Sequence, residues 1–435
     1  MMSQRMIKAE REPRDFEMTV WNEVPFEELL IESRDGEWGL GEPTVGHQLC
    51  EVIRGTDFAG LHSAGIELPK RWIPDHIVDR KKLLPGDIVL ETAGGTAKQS
   101  TGRSALLTNT FFEKHKDFPV LCASFSRHLR LDTRKFDSGF IYYLLQALHS
   151  AGYMAVYHLQ HTGVARFQYT SFKKKTVLNI PDKHIQRRIS ATLSAYDDLI
   201  ESNRRRIELL EQMAEEIYRE WFVRFRFPGY QQAKFEKGSP TTWQKKKFGE
   251  FCGLKRGYDL PDAQIEDGEF PIIASTSIKA FHNQFKVEPP VICTGRSGSL
   301  GTVLFVNERA WPLNTALYVQ KFYGNSPYLI YFTLKNMGLA SFNSGAGVPS
   351  LNRNHLNGIS IAVPEKPLQQ AFDKHVSVLF EQKEQLVEAC KSLQKARDAL
   401  LTRLISGKLP VHHLDIQFPP SMREADAARQ EVAHA

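Results

Sequence analysis

The stretch at residues 196–229, YDDLIESNRRRIELLEQMAEEIYREWFVRFRFPG, determines how the rest of the 435-residue chain is organised. Its apolar side chains recur at alternating steps of three and four residues, which is the pattern of a coiled-coil seam. A Pro-Gly pair at positions 228 and 229 then ends the helical pattern. The sequence therefore predicts a long helix near the middle of the chain, with a folded region on either side of it.

An internal repeat places a second helix of the same kind near the end of the chain. NIPDKHIQ, from Asn179, and AVPEKPLQ, from Ala362, share a strand-like end, a proline, a polar break and a glutamine. With Pro181 and Pro364 taken as equivalent, the apolar positions of the two helices fall in register. The predicted seam positions are Tyr196, Ile200, Asn203, Ile207, Leu210, Ala214, Ile217 and Trp221 in the first helix, and Leu379, Lys383, Leu386, Cys390, Leu393, Arg397, Leu400 and Leu404 in the second. Polar residues in a seam lower stability but fix register and partner, which is the role expected of Asn203, Lys383 and Arg397.

The region before each helix begins with a similar segment, WNEVPFEELL from Trp21 and WQKKKFGEFC from Trp243. Short β-branched and aromatic runs between Gly, Pro and Asn breaks predict that both regions are β-rich and mixed. The expected fold class is α+β: two β-rich mixed domains joined by two long antiparallel coiled-coil helices, with a pseudo-twofold internal repeat. Helices of roughly 40 residues are about 60 Å long, so antiparallel pairing would put one domain at each end of a rod.

The two Trp and two Pro positions set the predicted limits of the segments. These limits are an N-terminal extension at 1–19, a first domain at 20–181, a central helix at 182–227, a linker at 228–242, a second domain at 243–364, a C-terminal helix at 365–409 and a flexible tail at 410–435.

Composition and charge restrict the possible functions. Lys and Arg outnumber Asp and Glu by 56 to 50, and a net charge of +6 permits a polyanionic partner without requiring one. The five cysteines are scattered with no C-x-x-C pair, which predicts buried, reduced thiols rather than a zinc site or a disulfide framework. The charged amino terminus lacks the apolar core of a signal peptide, and no apolar run approaches the roughly 20 residues of a membrane span. We expect a cytoplasmic location.

Two glycine-rich stretches could suggest a catalytic role: TAGGTAKQSTGRSAL from Thr92 and TGRSGSLGTVLF from Thr294. Neither matches the phosphate-binding pattern G-x-x-x-x-G-K-[ST]. Each stretch either turns tightly for structural reasons or brings backbone amides and Arg103 or Arg296 close to DNA. No histidine has a metal-ligand spacing with a partner acid, and the chain has no Asn-Pro-Pro-aromatic stretch and no acidic nuclease cluster. No catalytic residue and no metal ligand is therefore predicted.

Several phrases resemble the specificity subunits of Type I restriction-modification systems. They are LSAYDDLIESNRRRIELLEQM, EEIYREWFVRFRFPG, LLTRLISGKL and the Pro-x-x-x-x-Gln entry to each helix. The resemblance covers roughly residues 20–410 and implies that each variable region is a target recognition domain for one half of a split, asymmetric DNA site. It also implies that the coiled coil sets the distance between half-sites and binds two methyltransferase subunits, with restriction subunits joining in a full system. The chain would be non-catalytic, and S-adenosylmethionine, ATP and Mg²⁺ would act on the partner subunits. Half-sites on one face of DNA lie about 34 Å apart, a distance that a rod of this length can span.

Candidate DNA contacts lie in polar loops and basic stretches of both domains. The predicted residues are Arg54, Lys98, Ser100, Arg103, His161, Arg166 and Lys173 in the first domain, and Lys255, Arg256, Tyr258, Arg296, Ser297, Asn343 and Arg353 in the second. Arg54 and Lys255-Arg256 are expected at similar places early in each domain. The run Lys173–Lys175 either faces phosphate or is simply solvated.

Three alternatives remain open from the sequence. The aromatic group at Trp221, Phe222, Phe225 and Phe227 either packs the end of the helix or provides a stacking surface for nucleic acid. The chain could be a structural coiled-coil adaptor without sequence preference, or the specificity subunit of a methylation-only system. A self-sufficient enzyme would need an active-site cluster that the sequence lacks.

Overall fold

The computed structural model describes residues 20–61, 66–94, 100–160, 165–345, 347–419 and 422. The chain divides into two compact units. Unit 1 contains the chain up to Arg205 together with the chain from Val387 onward, and unit 2 contains Arg206–Leu386. The division therefore cuts each long helix within its length, whereas the predicted limits kept both helices apart from the domains.

Unit 1 combines short strands and short helices with parts of both long helices. Its strands are β1 (Trp21–Pro25), β2 (Leu30–Asp35), β3 (His47–Ile53), β4 (Lys70–Pro74), β5 (Ile88–Glu91), β6 (Ser104–Leu106), β7 (Val120–Cys122), β8 (Ser126–Leu131), β9 (His158–Leu159), β10 (Arg166–Phe167) and β11 (Val177–Pro181). Its helices are α1 (Asp75–Lys81), α2 (Asn109–Lys114), α3 (Ser138–Ser150), α4 (Tyr169–Lys175) and the first part of α5 (Lys183–Tyr218).

Unit 2 has the same kinds of element. Its strands are β12 (Phe235–Glu236), β13 (Ser239–Pro240), β14 (Gln244–Lys247), β15 (Gly253–Arg256), β16 (Phe270–Ile273), β17 (Ile278–His282), β18 (Val291–Gly295), β19 (Val303–Val306), β20 (Trp311–Pro312), β21 (Ala316–Lys321) and β22 (Ser360–Val363). Its helices are α6 (Phe248–Phe251), α7 (Pro327–Asn336), α8 (Arg353–Asn357), the last part of α5 and the first part of α9 (Lys366–Ile405). The last part of α9 belongs to unit 1.

The sheets of the two units have matching topology, which confirms the internal repeat. Unit 1 has a four-stranded sheet in the order β2-β8-β5-β6 and a three-stranded sheet in the order β4-β3-β7. Unit 2 has the corresponding orders β15-β21-β18-β19 and β17-β16-β20. In both three-stranded sheets the last pair, β3 with β7 and β16 with β20, is parallel. The fold is α+β, with a β-rich region in each copy of the repeat.

An antiparallel strand pair closes each β-rich region. Trp21 pairs with Pro181 at the end of β1 and β11, and Gln244 pairs with Val363 in β14 and β22. The residue that follows the opening strand is a fully buried phenylalanine in both units, Phe26 and Phe248. The predicted resemblance between the two Trp-containing segments is therefore confirmed, because the segments occupy the same place in the two units.

The glutamine of each Pro-x-x-x-x-Gln stretch is a buried connection between three elements. Gln186 accepts a hydrogen bond from the Asp137 backbone N–H at 2.8 Å and donates to the Pro181 carbonyl at 2.9 Å. Gln369 accepts from the Ser326 N–H at 3.0 Å and donates to the Pro364 carbonyl at 2.8 Å. Asp137 and Ser326 are the N-caps of α3 and α7. Each glutamine therefore fastens the closing strand, a helix of the same unit and the start of a long helix to one another.

The long helices pair antiparallel within each unit. In unit 1, Asp197 contacts Arg397 and the Ile200 carbonyl lies 3.8 Å from the Cys390 sulfur. In unit 2, Glu211 forms an ion pair with Lys383 at 2.8 Å. The predicted seam positions are all buried or half-buried. This burial agrees with the predicted seam, and acids on α5 pair with two of its basic residues, Lys383 and Arg397.

Helix α5 ends earlier than the predicted residue 227. A π-helical turn at Arg219–Val223 follows Tyr218, and Phe225 then has a left-handed backbone with φ of 57°. The aromatic group packs into the core of unit 2, where the Phe222 and Phe372 rings are 4.9 Å apart. The group is therefore the packing cap, since its rings contact one another and the core.

The predicted flexible tail starts too early. Val411 is buried in the core of unit 1, and Arg188 donates from Nε to its carbonyl at 3.0 Å. The Arg187 guanidinium lies 5.1 Å from the centre of the Phe418 ring. Packed chain continues past residue 410 because α5 offers it both an apolar surface and two guanidinium groups.

Candidate nucleic-acid interface

In unit 1, backbone hydrogen bonds join four loops into one surface, which we call the loop junction. The junction consists of residues 36–38, 92–94, 122–126 and 165–167. Its hydrogen bonds run from Gly36 N to Ser126 O (2.9 Å), Glu37 N to Cys122 O (2.8 Å), Thr92 N to Phe125 O (2.8 Å), Gly94 N to Ala165 O (3.2 Å) and Phe167 N to Thr92 O (2.8 Å). The backbone thus fixes the directions in which the loop side chains leave the surface.

Unit 2 has a loop junction with the same hydrogen bonds, at residues 257–259, 296–298, 312–316 and 349–351. They run from Gly257 N to Ala316 O (3.0 Å), Tyr258 N to Pro312 O (2.8 Å), Arg296 N to Thr315 O (2.8 Å), Gly298 N to Pro349 O (2.9 Å) and Leu351 N to Arg296 O (2.8 Å). Both junctions need a glycine at their first position. A Cβ on Gly36 would lie 2.2 Å from the Ala123 oxygen, and one on Gly257 would lie 2.2 Å from the Leu313 oxygen.

A cleft of about 540 Å³ opens at the loop junction of unit 1. Its lining includes Trp38, Arg54, Arg103, Ser124 and Phe125. Phe125 is 59% exposed and Trp38 is 36% exposed, so two large aromatic side chains border the cleft in contact with solvent. Exposed aromatic groups beside a concave site indicate a surface for a ligand rather than core packing.

The equivalent surface of unit 2 is polar. Asp259 accepts hydrogen bonds from the side-chain amide of Asn314 and, at 3.3 Å, from Arg256. The Asn314 carbonyl also accepts from Arg296 Nε at 2.7 Å. Asp259 and Arg256 remain 70% and 53% exposed, respectively. The same backbone therefore carries aromatic groups in one unit and a chain of amide, carboxylate and guanidinium groups in the other.

The structure corrects the expectation that Arg54 and Arg256 occupy similar places. Arg54 follows β3 of the three-stranded sheet, whereas Arg256 ends β15 of the four-stranded sheet. The arginines of the two glycine-rich loops also differ in place. Arg296 directly follows β18 and Arg103 directly precedes β6, so they lie at opposite ends of equivalent hairpin loops. The short sequences R-G and T-G-R-S occur in both units, but they occupy different positions in the strand pairing.

Arg103 has internal partners. Its guanidinium donates to both oxygens of Glu91, which is 1% exposed, and to the Gly55 carbonyl at 3.0 Å. The hydrogen bonds to Glu91 raise the pKa of Arg103 despite its partial burial. Because the Gly55 carbonyl directly follows Arg54, this ion pair joins two of the predicted loops at the cleft. The structural alternative for this loop gains support, while a DNA contact by Arg103 stays a prediction.

Two of the other predicted contacts, Arg166 and Ser297, lie at the junctions. The exposed Arg166 lies beside Ala93, and Ser297 lies beside Ser350, in equivalent backbone bridges. Arg54 is held by Asp57, and Ser100 Oγ lies 3.3 Å from the ring of His149.

In unit 2, the side chain of Asn343 organises its own loop by accepting from the Ser350 backbone N–H at 2.9 Å. Tyr258 contacts the Tyr318 hydroxyl at 3.0 Å, and the Lys255 ammonium lies 5.5 Å from the Tyr258 ring. Arg353 donates to the Leu254 carbonyl at 3.2 Å.

Three further predicted contacts have other outcomes. Lys173, on α4, forms an ion pair with Glu27 at 3.5 Å. This ion pair favours the solvated alternative for the run Lys173–Lys175. Lys98 and His161 lie outside the described residues.

Sequence inspection missed Trp38, Ser124, Phe125, Asp259 and Asn314, which line the two junctions. None lies in a charge run or a glycine-rich stretch. The repeat of the adjoining glycines, Gly36 and Gly257, was the available signal, but it becomes visible only once the strands are aligned.

The described residues contain no helix that is both long and apolar enough to cross a membrane. Within the same residues, no group of three or more His, Cys, Asp or Glu could hold a metal ion. All five cysteines are buried and unpaired, as predicted, and burial raises the pKa of Cys252 to about 12.

The chain is similar to known proteins in sequence and in fold. A family model described as the Type I restriction modification DNA specificity domain matches residues 78–212 and 240–389, one match on each copy of the repeat. The type I restriction enzyme MjaIX specificity subunit of Methanocaldococcus jannaschii is 25% identical over 273 residues, which cover 55% of this chain and 62% of that protein. The match thus spans less than two thirds of the relative's length.

One solved structure is similar to the chain at the level of the fold. The S subunit of a Type I restriction-modification system from M. genitalium has a TM-score of 0.50 at 19% sequence identity, covering 89% of this chain and 96% of that one. The HsdS subunit of Thermoanaerobacter tengcongensis gives a TM-score of 0.33 at 14% identity, covering 89% and 97%.

The family model matches well over half of the chain, and the two β-rich units with their long helices have the architecture that the resemblance implied. The chain belongs to the specificity subunits of Type I restriction-modification systems.

Proposed function

We propose that each β-rich region of this chain recognises one half of a split DNA site, and that the chain itself is not catalytic. The observation that carries the proposal is the pair of loop junctions, which share one backbone hydrogen-bond pattern but differ in side chains. A shared backbone suits a shared task, and different side chains suit two different base sequences. The recognised site would then consist of two unlike halves.

Basic side chains beside the junctions support contact with the DNA backbone. Arg166 in unit 1 and Arg256 in unit 2 are exposed. Arginines in such positions neutralise phosphate charge and position the protein without specifying sequence. We therefore propose Arg54, Arg166, Arg256 and Arg296 as phosphate or base-edge contacts.

Partner binding is proposed for the helices, whose pairing in each unit supports a role as spacer. Leu209 and Met213 of α5 are 57% and 54% exposed, and Val378 of α9 is 49% exposed. Apolar side chains on the outer face of an otherwise charged helix suit a protein partner. The proposed partners are two methyltransferase subunits, with restriction subunits in a full system, and these partners would use S-adenosylmethionine, ATP and Mg²⁺.

The test is to co-express the chain with its candidate methyltransferase subunit and map methylated adenines across the host genome by single-molecule sequencing. A split motif with two unlike halves and one fixed spacer is expected. Methylation without a motif would favour the adaptor alternative and contradict the proposal. Restriction activity after addition of a restriction subunit would separate a full system from a methylation-only one.

A further inference from the structure

The two loop junctions allow base-contacting positions to be located by comparing one unit with the other. Equivalent hydrogen bonds align Cys122 with Pro312 and Ser126 with Ala316, so the residues between them also correspond. Ser124 is then equivalent to Asn314, and Phe125 to Thr315. Alignment of Gly36 with Gly257 makes Trp38 equivalent to Asp259.

The equivalent positions have the same backbone hydrogen bonds but side chains of different chemistry. In unit 1, Trp38 and Phe125 present apolar rings and Ser124 is exposed between the loops. In unit 2, Asp259 and Asn314 present a carboxylate and an amide that are hydrogen-bonded to each other. The backbone groups of the junctions are used in the same internal hydrogen bonds in both units, so only the side chains can distinguish the two surfaces.

The two sets of side chains suit different base edges in the major groove. Apolar groups contact the methyl group of thymine, which no other base of DNA presents. An asparagine amide suits the N6 and N7 positions of adenine, and a carboxylate accepts from the N4 amino group of cytosine. Exposed aromatic rings beside a cleft indicate a contact surface, and the hydrogen bond between Asn314 and Asp259 already orients these two side chains for a ligand.

Resting on the proposed function, we infer that residues 38, 124 and 125 of unit 1 and residues 259, 314 and 315 of unit 2 are the specificity-determining positions of the chain. The unit 1 set recognises a thymine-containing step by apolar contact. The unit 2 set recognises amino-bearing bases by hydrogen bonding. The internal ion pair of Arg103 with Glu91 stabilises the cleft of unit 1 without contacting a base.

The test exchanges single residues between the two junctions. Phe125→Thr and Asn314→Ser each install the residue that the other unit already holds at the equivalent place on the same backbone, so the fold should tolerate both. The full chain, assembled with methyltransferase subunits, is used to select binding sites from a random duplex library. Matched controls are Phe281→Thr, an exposed phenylalanine on β17, and Asn283→Ser, an exposed asparagine outside the junction.

Phe125→Thr should lower the preference at one or two base pairs in a single half of the motif by about 10-fold, leaving the other half and the spacer unchanged. Asn314→Ser should do the same in the other half, and both controls should select the original motif. Weaker binding with an unchanged motif, a change in both halves, or an equal effect of the controls would overturn the inference. A parent chain that selects no split motif would instead overturn the proposed function, on which the inference rests.

Discussion

Replacing Gln369 with methionine should destabilise unit 2, because the side chain is nearly isosteric but removes a buried amide. The amide satisfies two backbone groups, the Ser326 N–H at 3.0 Å and the Pro364 carbonyl at 2.8 Å, and Gln369 is only 2% exposed. A buried backbone group left without a partner costs about 1–3 kcal/mol, so two of them should cost about 2–6 kcal/mol. Asn325, a third partner, keeps a hydrogen bond from Lys366 at 2.9 Å and is left out of the estimate.

Amide hydrogen exchange of α7 measures this loss within unit 2 itself. A cost of about 2 kcal/mol corresponds to roughly 30-fold lower protection of the α7 amides. Gln370→Met is the matched control, because the adjacent glutamine is exposed and its replacement should change stability by no more than about 0.5 kcal/mol. Equal protection in the two variants would refute the role assigned to the buried amide. Gln186→Met should produce the same effect on α3 in unit 1.

Three further changes test other features. Arg397→Met should cost about 1–3 kcal/mol, because it leaves the half-buried carboxylate of Asp197 without its cation. Adding Asp197→Asn removes that charge and keeps an acceptor for the Tyr143 hydroxyl, so it should restore most of the loss in urea unfolding. Simple additivity of the two changes would contradict this. The free energy of unfolding should fall as the pH drops below about 6.5, because burial lowers the pKa of His128 and the unfolded chain therefore binds a proton more readily than the folded chain. His128→Phe should remove this part of the pH dependence of stability. The same pH dependence in both proteins would contradict the role of His128. Arg103→Met should lower the free energy of unfolding, because the buried Glu91 loses its partner. The double variant with Glu91→Met should recover both stability and DNA affinity in binding titrations. A loss of DNA affinity that persists at recovered stability would show that Arg103 contacts DNA.

Much of the architecture could be predicted from the sequence because it depends on local periodicity. The seam residues, the Pro-x-x-x-x-Gln entries and the opening Trp segments repeat at fixed spacing, and each corresponds to a contact within one unit. The α5 terminus was harder to predict. A π-helical turn ends the helix at an aromatic cluster, and the letters that follow Tyr218 continue to suit a helix.

The candidate site depended on features that single-residue patterns do not contain. Arg54 and Arg256 look equivalent in the text of the sequence, but strand pairing places them after different strands. Trp38 and Phe125 belong to no sequence motif. They line the same cleft because backbone hydrogen bonds join loops that are distant in sequence. Basic residues attract attention in a DNA-binding protein, yet Arg103 proved to be satisfied by a buried acid.

The central claim is that each β-rich region independently specifies one half of the recognised site. The most direct measurement replaces residues 21–181 with a second copy of residues 243–364, which keeps both equivalent Pro-x-x-x-x-Gln connections to the long helices. Methylated adenines are then mapped in cells that also express the methyltransferase subunit. The account predicts a symmetric motif in which both halves are the half that unit 2 specifies in the parent protein. A motif that keeps two unlike halves, or an assembled complex that methylates without any motif, would contradict it.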